Sequence, residues 1–159
     1  MKILWIDVGS AMGWAHNSAY TGRTYSEGTP EISFGTWKFD GIRAHRQWAL
    51  MAQFEAFLRG LPLDVVGYER PFSRGLAATS SLWGMAGVIE AVATKRGLPV
   101  VDIPPAAIKK FWTGKGTASK EAMIAEAHAR LDLKQAINEH EADAIAGLHY
   151  ALKEVRIGK

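Results

Sequence analysis

Residues 2–8 (Lys-Ile-Leu-Trp-Ile-Asp-Val) form a short run that is apolar at nearly every position and is ended by Gly9 and Ser10. A strand with apolar side chains on both faces must be covered on both faces. It therefore belongs inside a sheet flanked by helices, which makes the chain an α/β protein. The same run carries a carboxylate. Ile3, Trp5 and Asp7 share one face by the two-residue period, and a carboxylate on a central strand is costly unless something pairs with it. The alternative is that Asp7 stands at the exposed end of the strand and caps the turn at residues 9–13.

The remaining elements follow from their spacing. A second strand is expected over 13–18, and a polar stretch with turn formers Gly22, Gly28 and Pro30 occupies 20–31. β-type composition returns over 32–39, so residues 1–40 read as an antiparallel three-strand meander. Residues 42–61 carry Trp48, Met51, Ala52, Phe54, Phe57, Leu58 and Leu61 at helical spacing. Residues 63–69 form another apolar strand, 76–96 an Ala-, Met- and Leu-rich buried helix, and 98–103 a last strand before Pro104-Pro105. Two more helices are expected at 119–131 and 139–155. This order gives a five-stranded mixed sheet, a meander plus two crossover-connected parallel strands, with helices on both faces. It fits the ribonuclease H-like architecture, and other α/β folds as well. The 159 residues suit a single domain, 1–159.

Composition narrows the chemistry. There is no cysteine, which excludes disulfides, thiolate metal sites and cysteine nucleophiles. Any metal must be held by oxygen or imidazole. The formal net charge of +3 is compatible with a polyanion partner without requiring one. Asp7 follows the N-terminus too closely for a secretory signal, and no uninterrupted apolar stretch of about 18 residues suggests a membrane span, so a cytoplasmic protein is expected.

Three segments carry groups suited to hard-cation chemistry. Glu69 ends its strand, and if that strand runs parallel to the first, both carboxylates emerge at the carboxyl edge, where open α/β sheets place ligands. The plainer alternative is an ion pair with Arg70 or Arg74. In the last helix His140 and Asp143 are three residues apart and share a face, although His140 taken alone also reads as a surface or satisfied histidine. Asp143 also shares a face with Ala146, Gly147 and Tyr150, a small-residue stripe suited to close packing on a sheet. Glu141 is expected to be a solvated surface group, and Glu139 a helix-start acid stabilised by the dipole. Asp7, Glu69, His140 and Asp143 together make a site for Mg²⁺ or Mn²⁺. Two such ions about 4 Å apart activate a water and stabilise the leaving oxygen of a phosphodiester. Positive charge gathers elsewhere: Lys109, Lys110, Lys115 and Lys120 lie in an acid-free stretch. Its glycines precede a helix capped by Thr117 or Ser119, where phosphate can be held. It lacks the spacing of a nucleotide-binding phosphate loop.

In register along almost the whole chain, four segments resemble the RuvC family of Holliday-junction endonucleases, whose compact bacteriophage members are similar in length. These are Leu4-Trp5-Ile6-Asp7-Val8-Gly9 with Gly13-Trp14, then Gly67-Tyr68-Glu69-Arg70-Pro71-Phe72, then residues 104–120, and finally His140-Glu141-Ala142-Asp143-Ala144-Ile145-Ala146. The resemblance implies that Asp7, Glu69 and Asp143 are metal-binding catalytic carboxylates, with His140 at a fourth ligand position that is Asp in many members and His in some. It implies Phe72 as an aromatic wedge against bases, and phosphate contacts by Lys110 and Lys120, with Arg74, Lys109 and Lys115 on the same DNA surface. It further implies Mg²⁺ or Mn²⁺, two per site, a homodimer, and four-way or otherwise branched DNA as substrate, with no membrane and no nucleotide cofactor. The sequence departs from the pattern at Arg70-Pro71, where proline stiffens the loop that presents Phe72. Competing readings are a nuclease of the same architecture acting on RNA–DNA hybrid or RNA, and a non-catalytic nucleic-acid-binding module. A sugar-kinase or actin-like protein needs two related domains, which this length does not supply.

Overall fold

The computed structural model describes residues 1–18, 32–72 and 75–156. The polar stretch at 20–31 and Arg74 lie outside the described residues. Five strands form one sheet: β1 (Ile3–Ile6), β2 (Ala11–His16), β3 (Ser33–Lys38), β4 (Val65–Glu69) and β5 (Val100–Ile103). Their spatial order is β3-β2-β1-β4-β5. The β1–β2 and β2–β3 pairs are antiparallel, and the β1–β4 and β4–β5 pairs are parallel. This is the expected meander with two crossover strands. β2 begins two residues before the expected start because Ala11 pairs with Lys38 and Met12 with Trp37, right up to the turn.

Helices α1 (Arg43–Leu58) and α2 (Leu76–Lys95) cover one face, and α3 (Pro105–Thr113), α4 (Lys120–Leu131) and α5 (Glu139–Glu154) the other. β1 is buried throughout and splits its side chains between the two cores. Leu4 and Ile6 pack toward α1 and α2, and Ile3 and Trp5 toward α3, α4 and α5. The two-sided apolar run was the correct constraint. α3 has no counterpart among the expected elements. Its signals are Pro105 in the first turn, Ile108 and Trp112 buried one turn apart, and Gly114 in the left-handed conformation (φ 81°) that ends it.

Two readings of the α1–α2 face need correction. α2 is not a buried helix: Met85, Ala86, Ile89, Val92 and Ala93 pack inward, while Leu76 is 93% and Trp83 43% exposed. By length and mean hydropathy α2 could also cross a membrane, although no uninterrupted apolar run suggested it, because Ala, Leu, Val and Ile carry the average across its polar positions. Trp48, one of the residues at helical spacing in α1, is 68% exposed, whereas Leu50, Phe54 and Leu58 are its buried residues.

The fold brings α5 unusually close to the sheet, and glycines make that possible. A Cβ on Gly13 of β2 would lie 1.7 Å from the His140 carbonyl oxygen, and one on Gly147 of α5 would lie 1.9 Å from the Trp5 indole nitrogen. Gly67 of β4 leaves room for the same indole, 2.4 Å from where its Cβ would stand. The first turn of α5 therefore rests directly on β2, and its middle on the Trp5 ring. The small-residue stripe expected around Gly147 serves this contact.

Candidate active site

Asp7 is the first residue after β1, and its backbone N–H donates to the Gly13 carbonyl at 2.9 Å, closing the β1–β2 turn. Strand alternation sends its side chain to the face of Trp5, beneath α5. There His140 Nδ1 lies 2.9 Å from Asp7 Oδ2. The Asp7 side chain is 15% exposed, so the exposed-cap alternative does not describe it. The backbone shapes the turn while the carboxylate faces His140. That contact, with desolvation opposing it, raises the histidine's affinity for a proton.

Glu69 ends β4, which runs parallel to β1 with Ile6 opposite Tyr68. One residue further, Asp7 and Glu69 come level at the carboxyl edge and on one face. Burial, reinforced by the charges of Asp7 and Asp143 and opposed by Lys109, pushes Glu69 up to about 8. Asp143, one turn along α5 from His140, is raised to about 6, first by burial and then by Asp7, with Lys109 and His140 pulling the other way. Arg70 does not neutralise Glu69. It turns to Asp102 in an ion pair at the β5 edge.

Asp7, Glu69, His140 and Asp143 are thus brought to one sheet edge, within reach of one another's fields. Only Asp7 and His140 touch. Among the described residues, no group of three or more His, Asp or Glu side chains already stands in an arrangement that could hold a metal ion.

The lysines fall into distinct places. Lys109, on α3, is half-buried and close enough to act on Glu69 and Asp143. Lys110 is the next residue on α3 and is exposed. Lys115 is exposed in the turn between α3 and α4, where its N–H donates to Thr113 Oγ1 at 3.2 Å. Lys120 opens α4 and is engaged by Glu139, the first residue of α5. Ser119 caps α4, accepting from the Ala122 N–H at 3.3 Å, which settles the choice between Thr117 and Ser119. Phe72 is 77% exposed, just past buried Pro71.

Glu141 corrects the sequence reading. It is buried, at 8% exposure, and closes a capping box: the Asn138 N–H donates to its Oε2 at 3.0 Å, and its own N–H donates to Asn138 Oδ1 at 3.0 Å. An Asn three residues before a Glu at a helix start was the signal that pointed there. Sequence reasoning also missed how close Lys109 comes to the carboxylates, because the helix that carries it was unassigned.

A family model described as crossover junction endodeoxyribonuclease RuvC matches residues 40–148, a stretch that contains Glu69, His140 and Asp143 and begins after Asp7. Among curated relatives, the RuvC of Anaeromyxobacter sp. (strain Fw109-5) is 38% identical over 79 residues, covering 49% of this chain and 38% of the relative. That of Corynebacterium diphtheriae is 40% identical over 86 residues, covering 52% of each. The matched segments thus span between about a third and a half of those relatives' length. The solved structure of Thermus thermophilus RuvC in complex with its Holliday-junction substrate aligns with a TM-score of 0.74 at 23% identity, covering 92% of this chain and 89% of that one. At that identity the likeness carries the fold, and the expected ribonuclease H-like sheet holds.

Proposed function

This chain belongs to the RuvC family of crossover junction endodeoxyribonucleases, and from that premise we propose that it is a metal-dependent endonuclease that cleaves four-way and related branched DNA. The observation that carries the proposal is the cluster at the carboxyl edge. Glu69 and Asp143 are raised to about 8 and about 6 by burial and by the charge of Asp7. Carboxylates held together in this way repel one another, and a cation between them relieves both costs.

The donor set of three carboxylates and one imidazole suits Mg²⁺ or Mn²⁺, with Asp7, Glu69, Asp143 and His140 as the residues that would hold it, two ions per site. A divalent cation bound there supplies Lewis acidity to a water and to the leaving oxygen of a phosphodiester. The chain's own residues prepare the place. Asp7 orients the His140 ring by its hydrogen bond. Lys109 offsets part of the acidic field on Glu69 and Asp143. In this reading Phe72, exposed beyond Pro71, stacks on an unpaired base at a branch point. Lys110, Lys115 and Lys120 contact backbone phosphate.

The proposal takes residues 1–159 as one nuclease domain acting in the cytoplasm of a bacterium or infected host, as a homodimer. A four-way junction asks for two matched cuts, and a two-fold pair of sites supplies them. The deciding experiment compares Mg²⁺-dependent cleavage of a synthetic four-way junction, linear duplex and RNA–DNA hybrid. We expect the junction to be cut in preference. Asp7→Asn, Glu69→Gln and Asp143→Asn should each abolish cutting while junction binding survives. Preferential cutting of the hybrid, or a near-normal rate in any of the three variants, would refute the corresponding part of the reading.

A further inference from the structure

Lined by His140, but not by Asp7, Glu69 or Asp143, a cavity of about 500 Å³ opens between the paired strands β2 and β3 and the starts of α4 and α5. That size falls in the range of about 300–1,000 Å³ common for ligand sites. Lys38, at the end of β3, and Lys120, at the start of α4, both line it. Among the described residues Lys38 forms no ion pair, whereas Lys120 is engaged by Glu139. Glu139 Oε1 also stands 3.7 Å from His140 Nε2. The Lys120–Glu139 pair is open to solvent, at 65% and 33% for the two side chains, and water screens a pair of this kind so that it contributes little. Another anion can displace it.

The polar wall of the cavity is already oriented. Asn138 Nδ2 donates to Thr36 Oγ1 at 2.9 Å, and Asn138 Oδ1 is occupied by the Glu141 N–H at 3.0 Å. Thr36 accepts from Asn138, and its own hydroxyl proton has only a long 3.3 Å contact back to Oδ1. An incoming anion can take over that long bond. Glu121, which also lines the cavity, is turned onto Ser119 and its own backbone N–H. What the cavity offers an incoming anion is two ammonium ions and the Thr36 hydroxyl; the Glu121 and Glu139 carboxylates share the lining, and the start of α5 is already satisfied by the Asn138–Glu141 capping box.

We propose that this cavity seats the backbone phosphate adjacent to the one cleaved, held by Lys38 and Lys120, with Glu139 as a stand-in anion that keeps Lys120 in place until nucleic acid arrives. The inference rests on the nuclease reading, and it assigns Lys38, Thr36 and Glu139 roles which that reading lacks. The geometry favours a polymer over a free ion. The cavity shares His140 with the acidic site, so a strand lying across the carboxylates carries its next phosphate here. Two lysines at that point offset the repulsion that the acidic edge exerts on the strand.

The test uses the full chain in an Asp7→Asn background, where binding is read without cleavage, on a synthetic four-way junction titrated with KCl. Lys38→Ala should lower the slope of log K against log[salt] by about one unit, and Lys38→Arg should restore it. Glu139→Gln should tighten binding severalfold at low salt, and that gain should vanish when Lys120→Ala is added. Thermal melts establish that each variant is folded. An unchanged slope in Lys38→Ala, or unchanged or weaker binding in Glu139→Gln, overturns the proposal and leaves the nuclease reading standing. If the Asp7→Asn protein does not bind the junction at all, both fall together.

Discussion

Burial and the neighbouring carboxylates raise Glu69 to about 8, so without a cation it holds its proton to higher pH than a solvated glutamate does. Asp143 is raised to about 6, and His140 is raised by its contact with Asp7. All three bind protons more tightly in the folded state, so stability falls as pH rises between each unfolded and folded value. For Asp143 the window runs from 3.8 to about 6, and for Glu69 from 4.5 to about 8. The stability from His140 is complete below 6.5 and is lost as pH rises through its raised value. Glu55, Glu121 and Glu139, which are lowered, act in the opposite direction only below 4.5, and His16 and His149, lowered by burial, do so only below 6.5. Above 6.5 only the raised groups remain, so in cation-free buffer the unfolding free energy should decline from about pH 6.5 to about pH 8, and Glu69→Gln should remove much of the slope. Denaturant titrations across that range check it, and a flat or rising profile in the parent protein would contradict the burial of Glu69.

Among the elements, α5 decides whether the site exists at all, because it carries His140 and Asp143 and can approach the sheet only over Gly13 and Gly147. Gly13→Ala forces a methyl onto the His140 carbonyl, and Gly147→Ala forces one onto the Trp5 indole. A backbone carbonyl has less freedom to retreat than a side chain, and overpacking of this kind costs about 1–3 kcal/mol or more. Gly13→Ala should lower stability in urea melts by at least that much and weaken Mn²⁺ binding. Wild-type metal affinity in a folded Gly13→Ala protein would show that the register of α5 does not matter to the site. α3 allows a separation of roles between adjacent residues. Lys109 lowers the proton affinity of Glu69 and Asp143, so Lys109→Ala should steepen the decline of stability with pH, while Lys110→Ala leaves it unchanged. If the two variants share one pH profile, Lys109 is only another surface lysine.

For the molecule as a whole, three of the exposed large apolar side chains among the described residues stand on α1 and α2. Leu76 and Trp83 of α2 and Trp48 of α1 are open to solvent, and a Cβ placed at Gly75 or Gly87 would meet no atom within 4 Å. Patches of this kind mark places where proteins associate, and the proposed pairing of two copies gives this one a use. Sedimentation analysis should find a dimer, and Trp83→Glu should shift it toward monomer while leaving the thermal melt of the isolated chain near its parent value. A monomer at all concentrations, free and on junction DNA, would remove the dimer from the proposal.

The sequence by itself determined the sheet and most of the acidic edge. A run apolar on both faces forces a two-sided cover, strand alternation puts Asp7 on the Trp5 face, and i, i+3 spacing puts His140 beside Asp143. These are short-range rules of geometry, readable wherever the period is regular. Tertiary structure decided what depends on approach and on competition among partners. It pressed α5 onto β2 across Gly13, buried Glu141 in a capping box, turned Arg70 to Asp102 and away from Glu69, paired Lys120 with Glu139, and left half of α2 uncovered. A charged side chain takes whichever partner the fold delivers within a few ångströms, and the spacing of residues along a chain does not encode that choice.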